Sequence, residues 1–460
     1  MTPTTTDRHR RRFPVTPGVI GAIGRQTLRQ CLRRKVLLVL VLFVAVVLVG
    51  QRLIPTHDPV KHLATLIVLA LWAMSFFGII VAVFLSATAL PEDRTEGTIT
   101  TVMTKPVGRL NYLLGRILGF AMTSGIILLV MGVVGWGVIR SVGRWAARQT
   151  GRDDLLVAKR GIDPTEVMLR EGTLPEKRLA PDAEAAVLRG SAEQVLVFHF
   201  HRGLGRLSQD GQTFEMTPYV STGAKLPNVP GEVVVRNPLT AEERRFDRTL
   251  DSGRTLTISF PRSLIDPKAG VEVTVRRLQP GAYVRVTKGE FQLMCPSVSF
   301  EYAYLKSLVL IYFSFLLVVV VSVTASTFLS AWVAVLLAFV AYFFSLFHQM
   351  LRDRMQGLTG EAVGWLGTEA FRHVHRHGAA VEDVGDPWYV TTVNRVWYGV
   401  LWLLTHIFPD FDRFKAVSFL TGSRDVPVGV VATAALVLLA YGTCYLILGH
   451  VIFWRKELVP

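Results

Sequence analysis

The sequence predicts an α-helical polytopic membrane protein of about six transmembrane helices, with an inserted extracytoplasmic domain that is β-sandwich-like. Hydrophobic residues make up 50% of the chain and the mean hydropathy is +0.39, which is too apolar for an ordinary soluble protein. The apolar residues are concentrated in long uncharged runs. Between the third and fourth predicted helices lies a hydrophilic segment with many β-branched and turn residues.

Five uncharged runs carry the membrane prediction, at 36–51, 63–90, 117–139, 307–347 and 426–454. A helix needs about 20 apolar residues to cross the hydrocarbon core of a bilayer. The fourth run is about twice that length, and its middle holds a polar patch that can turn the chain at the membrane surface. This patch consists of Ser322, Thr324, Ser326, Thr327 and Ser330. The fourth run therefore predicts two helices, which gives six spans.

The charge distribution predicts the orientation. The net charge is +15, and before the first run nine basic residues face one acid, Asp7. Under the positive-inside rule this places the N-terminus in the cytoplasm, and six spans return the C-terminus with Arg455 and Lys456 to the same side. No cleavable signal peptide is recognisable. We therefore expect a protein of the cytoplasmic (inner) membrane whose partner is the lipid bilayer and not a nucleic acid.

These inferences divide the chain into seven parts. The predicted parts are a cytoplasmic N-terminus with an amphipathic helix at 1–35; helices one to three at 36–140, with a short cytoplasmic helix at 91–111; an extracytoplasmic domain at 141–302, mainly β from about 194; helices four and five at 303–350; an external loop at 351–425 with an interfacial or re-entrant helix at 396–408; helix six at 426–454; and a cytoplasmic tail at 455–460.

Within the inserted domain, short segments rich in β-branched and aromatic residues alternate with turn residues, which favours a small antiparallel sandwich. The predicted strands are 194–200, 231–236, 255–260, 271–277, 282–287 and 290–294. The part before about 193 is expected to be helical or irregular.

The sequence lacks the residues and motifs that would indicate ion coupling or catalysis by this chain itself. The middles of the apolar runs contain no Asp, Glu, Lys or Arg, which disfavours ion-coupled transport. The chain also lacks a GxxxxGK[ST] phosphate loop, a GxSxG nucleophile elbow and an HExxH zinc motif. We therefore predict no catalytic residues, so that any ATP hydrolysis would lie on another polypeptide. On the predicted topology Cys31, Cys295 and Cys444 are too far apart for an intramolecular disulfide.

Two histidine groups could in principle bind zinc or copper. His199 and His201 share one face of a predicted strand, and His373, His375 and His377 alternate in an external loop. Neither group has a companion carboxylate or cysteine cluster, so surface histidines are the favoured interpretation and no metal or cofactor is predicted. Paired Asp410 and Asp412 are interpreted as turn and cap residues.

The most informative segment is the loop between the second and third spans. A short charged helix held between two spans could act as a lever that another protein pushes, although an ordinary hairpin connection would also be polar and contain Pro106. The segment resembles the type-2 ABC exporter permease family, in which Glu, Gly-Thr, an apolar pair, Pro, Arg, Tyr and Gly-Arg follow at this spacing. The matching residues are Glu96, Gly97, Thr98, Val102, Met103, Pro106, Arg109, Tyr112, Gly115 and Arg116.

The resemblance extends to residues 25–35, which are similar to the elbow helix of that family, and to 326–340 and 408–411. It implies a homodimer or heterodimer of permease subunits, each resting a coupling helix on a cytosolic ABC ATPase subunit. The residues carried over as ATPase-coupling are Glu92, Asp93, Arg94, Glu96, Gly97, Thr98, Val102, Met103, Lys105 and Pro106, with Arg109, Tyr112 and Arg116 at the membrane boundary. The insertion at 141–302 departs from the short loop of simple family members.

Two other functions stay open from the sequence. A membrane-anchored extracytoplasmic binding or assembly module would keep the β domain but would not need the pattern at 96–116. A membrane-embedded enzyme should place polar catalytic residues opposite each other within the spans, and the apolar runs lack them. The transported substrate cannot be inferred from these residues.

Overall fold

The computed structural model describes residues 16–33, 36–54, 58–96, 107–151, 153–171, 177–178, 185–188, 193–201, 212–221, 228–266, 269–279, 283–287, 290–348, 351, 388–421 and 424–455. The chain divides into two compact units. The helical unit comprises Met1–Gly151, Leu305–Thr421 and Val426–Pro460, and the β unit comprises Arg152–Tyr304 and Gly422–Asp425.

Nine α-helices, most of them long, are present in the described part of the chain. They are α1 (Pro17–Arg33), α2 (Val36–Leu53), α3 (Pro59–Thr95), α4 (Arg109–Thr150), α5 (Phe300–Ser326), α6 (Ala331–Leu346), α7 (Trp388–Ile407), α8 (Val417–Thr421) and α9 (Val428–Arg455). Four of them, α3, α4, α5 and α9, are long and apolar enough to cross a membrane. The chain is therefore a multi-pass membrane protein.

The other two predicted spans correspond to shorter apolar helices, Leu38–Leu53 within α2 and Ala331–Ser345, which overlaps α6. The six-span arrangement thus stays a prediction. The expected turn in the long fourth run is present, because α5 ends at Ser326 and α6 begins at Ala331. Helix α7 begins before the predicted stretch and ends just ahead of Pro409, and its place at the interface stays a prediction.

The ends of the two longest helices follow from local sequence signals. Asp58 caps α3 by accepting a hydrogen bond from the Val60 amide at 3.0 Å, and Pro59 occupies the first helical position. Helix α3 then continues through Pro91 to Thr95. At the end of α4, Gly151 takes the left-handed conformation (φ 64°), which glycine adopts without the steric cost of a Cβ. Both helices are thereby longer than the apolar runs inside them.

Helix α1 packs closely against α4 because glycines remove side-chain volume from the contact. A Cβ added to Gly115 would lie 2.7 Å from Ile23 Cβ, and one added to Gly119 would lie 2.8 Å from the Gly24 carbonyl oxygen. The face of α1 that is buried contains Gly24, Thr27 and Cys31. A helix therefore occupies the position of the predicted amphipathic helix, with its buried face against α4, and its role at the membrane interface stays a prediction.

The β unit contains three sheets among its described residues. Their strand orders are β1-β13-β6-β10, β3-β2-β5-β11-β8-β9 and β4-β12-β7. The strands are β1 (Val157–Ile162), β2 (Glu166–Glu171), β3 (Lys177–Arg178), β4 (Ala185–Leu188), β5 (Gln194–Phe200), β6 (Gln212–Met216), β7 (Tyr219–Ser221), β8 (Asn228–Arg236), β9 (Glu243–Asp251), β10 (Leu256–Phe260), β11 (Val271–Arg277), β12 (Tyr283–Thr287) and β13 (Phe291–Ser299). The pairings between these strands are antiparallel.

Alternate residues of these strands form one apolar core. Phe198 on β5 is fully buried, with ring centroids 4.6 Å from Phe291 and 6.1 Å from Phe214. Residues 424–425 join the same unit, because the Asp425 amide donates to the Lys159 carbonyl at 2.7 Å and Arg424 forms an ion pair with Glu215 at 3.2 Å. The chain thus returns to the β unit just before α9.

The prediction of an inserted β region is confirmed, and strands are present at all six predicted positions. The expectation that the part before about 193 is helical or irregular is wrong for β1 to β4. Strand β9 (Glu243–Asp251) was not predicted because its sequence, ERRFDRTLD, is mostly charged. It lies at the edge of the six-stranded sheet, where charged side chains remain in water and discourage pairing with another chain.

Candidate coupling site at the ends of helices α3 and α4

The structure places the predicted coupling residues on both flanks of one connection. Glu92, Asp93 and Arg94 occupy the last turn of α3, and Glu96 is its C-cap. The remaining predicted ATPase contacts lie outside the described residues; these are Gly97, Thr98, Val102, Met103, Lys105 and Pro106. The short helix was predicted at 91–111. Residues 91–95 of this range continue α3 and residues 109–111 begin α4, so a separate helix could lie only in the sequence between them.

A buried ion pair ties the two flanks together. Arg116 Nη2 donates to Asp93 Oδ2, and the two side chains are only 7% and 8% exposed. Tyr112 lies between them, donating its hydroxyl hydrogen to the same carboxylate oxygen at 2.5 Å while accepting from Arg116 Nε at 3.3 Å. Removing two charges from water is costly unless they are paired and hydrogen-bonded. This arrangement therefore fixes the end of α3 against the start of α4.

The same guanidinium extends the link to α1. Arg116 Nη1 donates to Gln30 Oε1 at 2.9 Å and to Thr27 Oγ1 at 3.3 Å. Thr27 is itself buried, and its hydroxyl donates to the Ile23 carbonyl within α1 at 2.9 Å. One arginine side chain thus connects α4 with both α1 and α3.

Two further arginines connect the flanks to helices distant in sequence. Arg94 donates to the carbonyl of Thr327, which lies in the turn between α5 and α6. Arg109 Nη1 donates to the carbonyls of Phe453 and Trp454 at 2.8 and 2.7 Å. These two carbonyls belong to the last turn of α9, where intrahelical donors are lacking. Helix α1, the turn between α5 and α6, and helix α9 therefore all contact the flanks of one connection.

The residues predicted for the membrane boundary have different environments. Arg116 and Tyr112 are buried in the network, and the Tyr112 ring also stacks on Phe453 with centroids 6.4 Å apart. Arg109 is partly exposed and lies over the same phenylalanine ring at 5.9 Å. Glu96 is exposed, and Asp93 is not. Of the predicted ATPase contacts on this flank, Glu96 is therefore the one whose side chain is most accessible to a partner.

Sequence analysis did not single out Thr27, Gln30, Thr327 or Phe453 as functional. Gln30 and Thr27 lie three residues apart, so both can reach one side chain across the helix contact. The closely spaced glycines 115 and 119, one turn apart on α4, are the signal that a helix packs there. No local pattern marks Thr327 and Phe453, since their role depends on the meeting of distant segments.

The other candidate residues form no chemical site in the described part of the chain. The rings of His199 and His201 stack with centroids 5.8 Å apart. Among the described residues, no group of three or more His, Cys, Asp or Glu side chains is placed to hold a metal ion. His373, His375 and His377 lie outside the described residues. Asp410 accepts from the Asp412 amide at 3.1 Å at the start of the short helix Phe411–Phe414, which matches its predicted capping role.

Comparison with known proteins agrees with the motif. Residues 22–157 match the family model described as ABC-2 family transporter protein. No curated protein matches the chain. The matched segment begins within α1, contains α2, α3 and α4, and ends at the first residue of β1. It therefore contains the whole Asp93, Tyr112 and Arg116 network with its contacts to α1, and the predicted family resemblance is confirmed.

Proposed function

We propose that this ABC-2 family transporter membrane protein is the membrane-spanning permease subunit of an ATP-binding-cassette exporter, coupled to a separate cytosolic ATPase. The observation that carries the proposal is the buried link across the connection between α3 and α4. Such a link is useful when another protein displaces that connection, because the displacement then moves two long helices together. The link lies inside the segment that matches the family.

The coupling set is proposed to act in two ways. Glu92, Arg94 and Glu96, with residues 97–106, would contact the ATPase, whereas Asp93 would act by holding α3 to α4 through Arg116. Movement imposed on the connection would pass to α1 through Gln30 and to α9 through the Arg109 hydrogen bonds. ATP binding and hydrolysis would take place on the partner, since this sequence contains no phosphate loop.

The proposed topology has six spans with both termini in the cytoplasm of the inner membrane. The basic residues before α2 support a cytoplasmic N-terminus. Helix α4 ends immediately before the β unit, the first residues of α5 belong to that unit, and residues 424–425 belong to it just before α9. These three helix ends therefore belong on one side, opposite the connection between α3 and α4. With that connection in the cytoplasm, the β unit is extracytoplasmic.

A dimer of permease subunits is the proposed assembly. The composition of α9 suits a membrane span, but only 6% of its most apolar 18-residue stretch is buried. In α5 the corresponding share is 72%. The uncovered face must contact lipid or another subunit. A homodimer and a heterodimer are both compatible with these contacts, and the substrate passing between the subunits is left open.

The test is co-purification with a candidate cytosolic ABC ATPase, in lipid, for the wild type and for Glu96→Arg. The reversed charge should abolish complex formation and the ATP hydrolysis that depends on it, because Glu96 is exposed on the proposed contact surface. Glu242→Arg is the matched control, since Glu242 is also exposed but lies in the β unit. It should leave both properties unchanged.

The result also separates this proposal from the alternative of an anchored binding or assembly module. If the ATPase does not bind the wild-type chain, the permease proposal fails and the anchored module becomes the better explanation. If the ATPase binds and Glu96→Arg has no effect, the contact surface is wrongly placed. Each variant must first elute from size exclusion like the wild type, which shows that it is folded.

A further inference from the structure

We propose that one face of strand β9 in the β unit binds an extended acidic segment of another protein. Strand β9 is the edge of the six-stranded sheet, where it pairs with β8. Arg244, Phe246 and Arg248 alternate along it, so their side chains leave the strand on the same side, which we call the Arg-Phe-Arg face. Both arginines are exposed, whereas Phe246 is partly buried and packs against the core of the unit.

The two faces of β9 differ in how their charges are balanced. On the opposite face, Arg245 forms ion pairs with Glu243 at 2.7 Å and with Glu232 of β8 at 3.8 Å. On the Arg-Phe-Arg face, the β8 residues directly opposite are small or apolar, namely Val235, Val233 and Gly231. One face is therefore neutralised within the sheet, whereas the other is cationic.

Neither Arg244 nor Arg248 forms an ion pair with a carboxylate of the described residues. Arg248 donates to the carbonyl of its neighbour Asp247 at 3.3 Å, which leaves its charge uncompensated. Glu242, two positions before Arg244, is exposed and not in ion-pair contact with it within the described chain. Strands β7 and β10 also contact β9, and neither contains Asp or Glu. An acidic partner would therefore supply charge that the surroundings of this face lack.

The hairpin that presents the face is fixed to the rest of the β unit. Asn237, which follows β8, is only 3% exposed, and its Oδ1 accepts from the amides of Leu239 and Thr240 at 2.9 and 3.2 Å. Its Nδ2 donates to the carbonyl of Ser263 at 3.2 Å, across to a separate segment. A surface that is already held in place loses little conformational freedom when a partner binds.

The spacing along β9 favours an extended polypeptide. Alternate residues of a strand lie about 6.7 Å apart, so Arg244 and Arg248 are separated by about 13 Å with Phe246 halfway between them. An extended partner has the same repeat, so an acid, an apolar residue and a second acid at alternate positions would match the three side chains. A guanidinium binds a carboxylate through two parallel donors. The charges that discourage pairing with an arbitrary chain thus favour an acidic one.

This inference goes beyond the proposed transport function. Under the proposed topology the partner would be an extracytoplasmic protein. The binding test, however, uses neither the ATPase nor a defined orientation in a membrane. Failure of the ATPase experiment would therefore leave its result unchanged.

The experiment is fluorescence anisotropy of a labelled peptide with the repeat Glu-Thr-Val-Thr, titrated with the full chain in nanodiscs of dioleoylphosphatidylcholine. A peptide with Gln in place of Glu is the neutral probe. The wild type should bind the glutamate peptide more tightly than the neutral one. Arg244→Gln with Arg248→Gln should weaken binding of the glutamate peptide about tenfold, or about threefold for each arginine.

The matched control is Arg245→Gln with Arg254→Gln. It removes the same charge from two exposed arginines that are already paired, with Glu243 and Asp251. The affinity for the glutamate peptide should therefore stay nearly unchanged. A reversal of charge, Arg244→Glu with Arg248→Glu, should instead make the chain prefer a peptide with the repeat Lys-Thr-Val-Thr.

Several outcomes would overturn the proposal. Equal binding of the glutamate and glutamine peptides by the wild type would show that no acidic segment is selected. Equal losses in the two arginine pairs would show that only net charge matters. A rearranged peptide with adjacent glutamates that binds as tightly would contradict the spacing. Tighter binding of a polyuronate chain, lost in the variant of Arg244 and Arg248, would assign the face to an anionic glycan and reject the protein partner.

Discussion

Replacing Arg116 with methionine should destabilise the helical unit strongly. Methionine has a similar length and fits an apolar environment, so the change removes the charge and the donors with little change in volume. The Asp93 carboxylate would then stay buried without the opposing charge that Arg116 supplies, although it would still accept the hydrogen bond from the Tyr112 hydroxyl. A buried charge that loses its partner is the costly element of such a pair.

The expected magnitude follows from this geometry. Removing one partner of a buried ion pair typically costs about 3 to 5 kcal/mol, and each lost hydrogen bond to Gln30 or Thr27 adds about 1 kcal/mol. The double variant with Asp93→Asn also removes the uncompensated charge. It should therefore be more stable than the sum of the single effects predicts, by about 1 to 3 kcal/mol.

The assay is reversible unfolding of the full chain in micelles, for the wild type, both single variants and the double variant. Arg455→Met serves as the control, because Arg455 is exposed at the end of α9, and it should change stability by less than about 0.5 kcal/mol. Additive single effects would refute the inference that Arg116 and Asp93 stabilise each other. A single Arg116 effect no larger than that of Arg455 would show that the pair is not buried in the folded protein.

Two further substitutions test the packing of each unit. Gly119→Ala should destabilise the contact between α1 and α4 by about 1 to 3 kcal/mol, because the added Cβ would lie 2.8 Å from the Gly24 carbonyl oxygen. The control is Gly442→Ala, since a Cβ at Gly442 would meet open space. Equal unfolding midpoints for the two variants would contradict the packing. Phe198→Ala should lower the free energy of unfolding by about 3 to 5 kcal/mol and speed hydrogen exchange in β5 and β11. The control, Leu239→Ala at an exposed turn, should do neither. Unchanged exchange in the Phe198 variant would mean that Phe198 is not part of the core.

The sequence predicted those features that depend on local composition. Long apolar runs predicted the four long apolar helices, and β-branched segments between turn residues predicted six strands. Four of these strands match the observed bounds to within one residue, whereas β8 begins three residues earlier and β13 ends five residues later than predicted. Strands β1 and β2 were missed because their sequences, VAKRGI and EVMLRE, contain charged residues that obscure the alternation. Their strand conformation comes from pairing with β13 and β5, which is a tertiary effect.

The candidate site shows the same division. The motif at 96–116 was recognisable by spacing, and it extends across the connection between α3 and α4. It did not indicate the ion pair of Arg116, because one sequence cannot show that Asp93, 23 positions earlier, meets it inside the protein. The helix α1 contact was equally hidden, although the glycines at 115 and 119 leave the room that Thr27 and Gln30 need.

The length of α4 determines how far the proposed coupling can reach. Its 42 residues extend about 63 Å from Arg109, beside the network, to Thr150, just before the β unit. Within this helix there is no proline, which is the commonest cause of a sharp kink. A displacement of the connection by an ATPase would therefore pass along one continuous element to the start of the β unit.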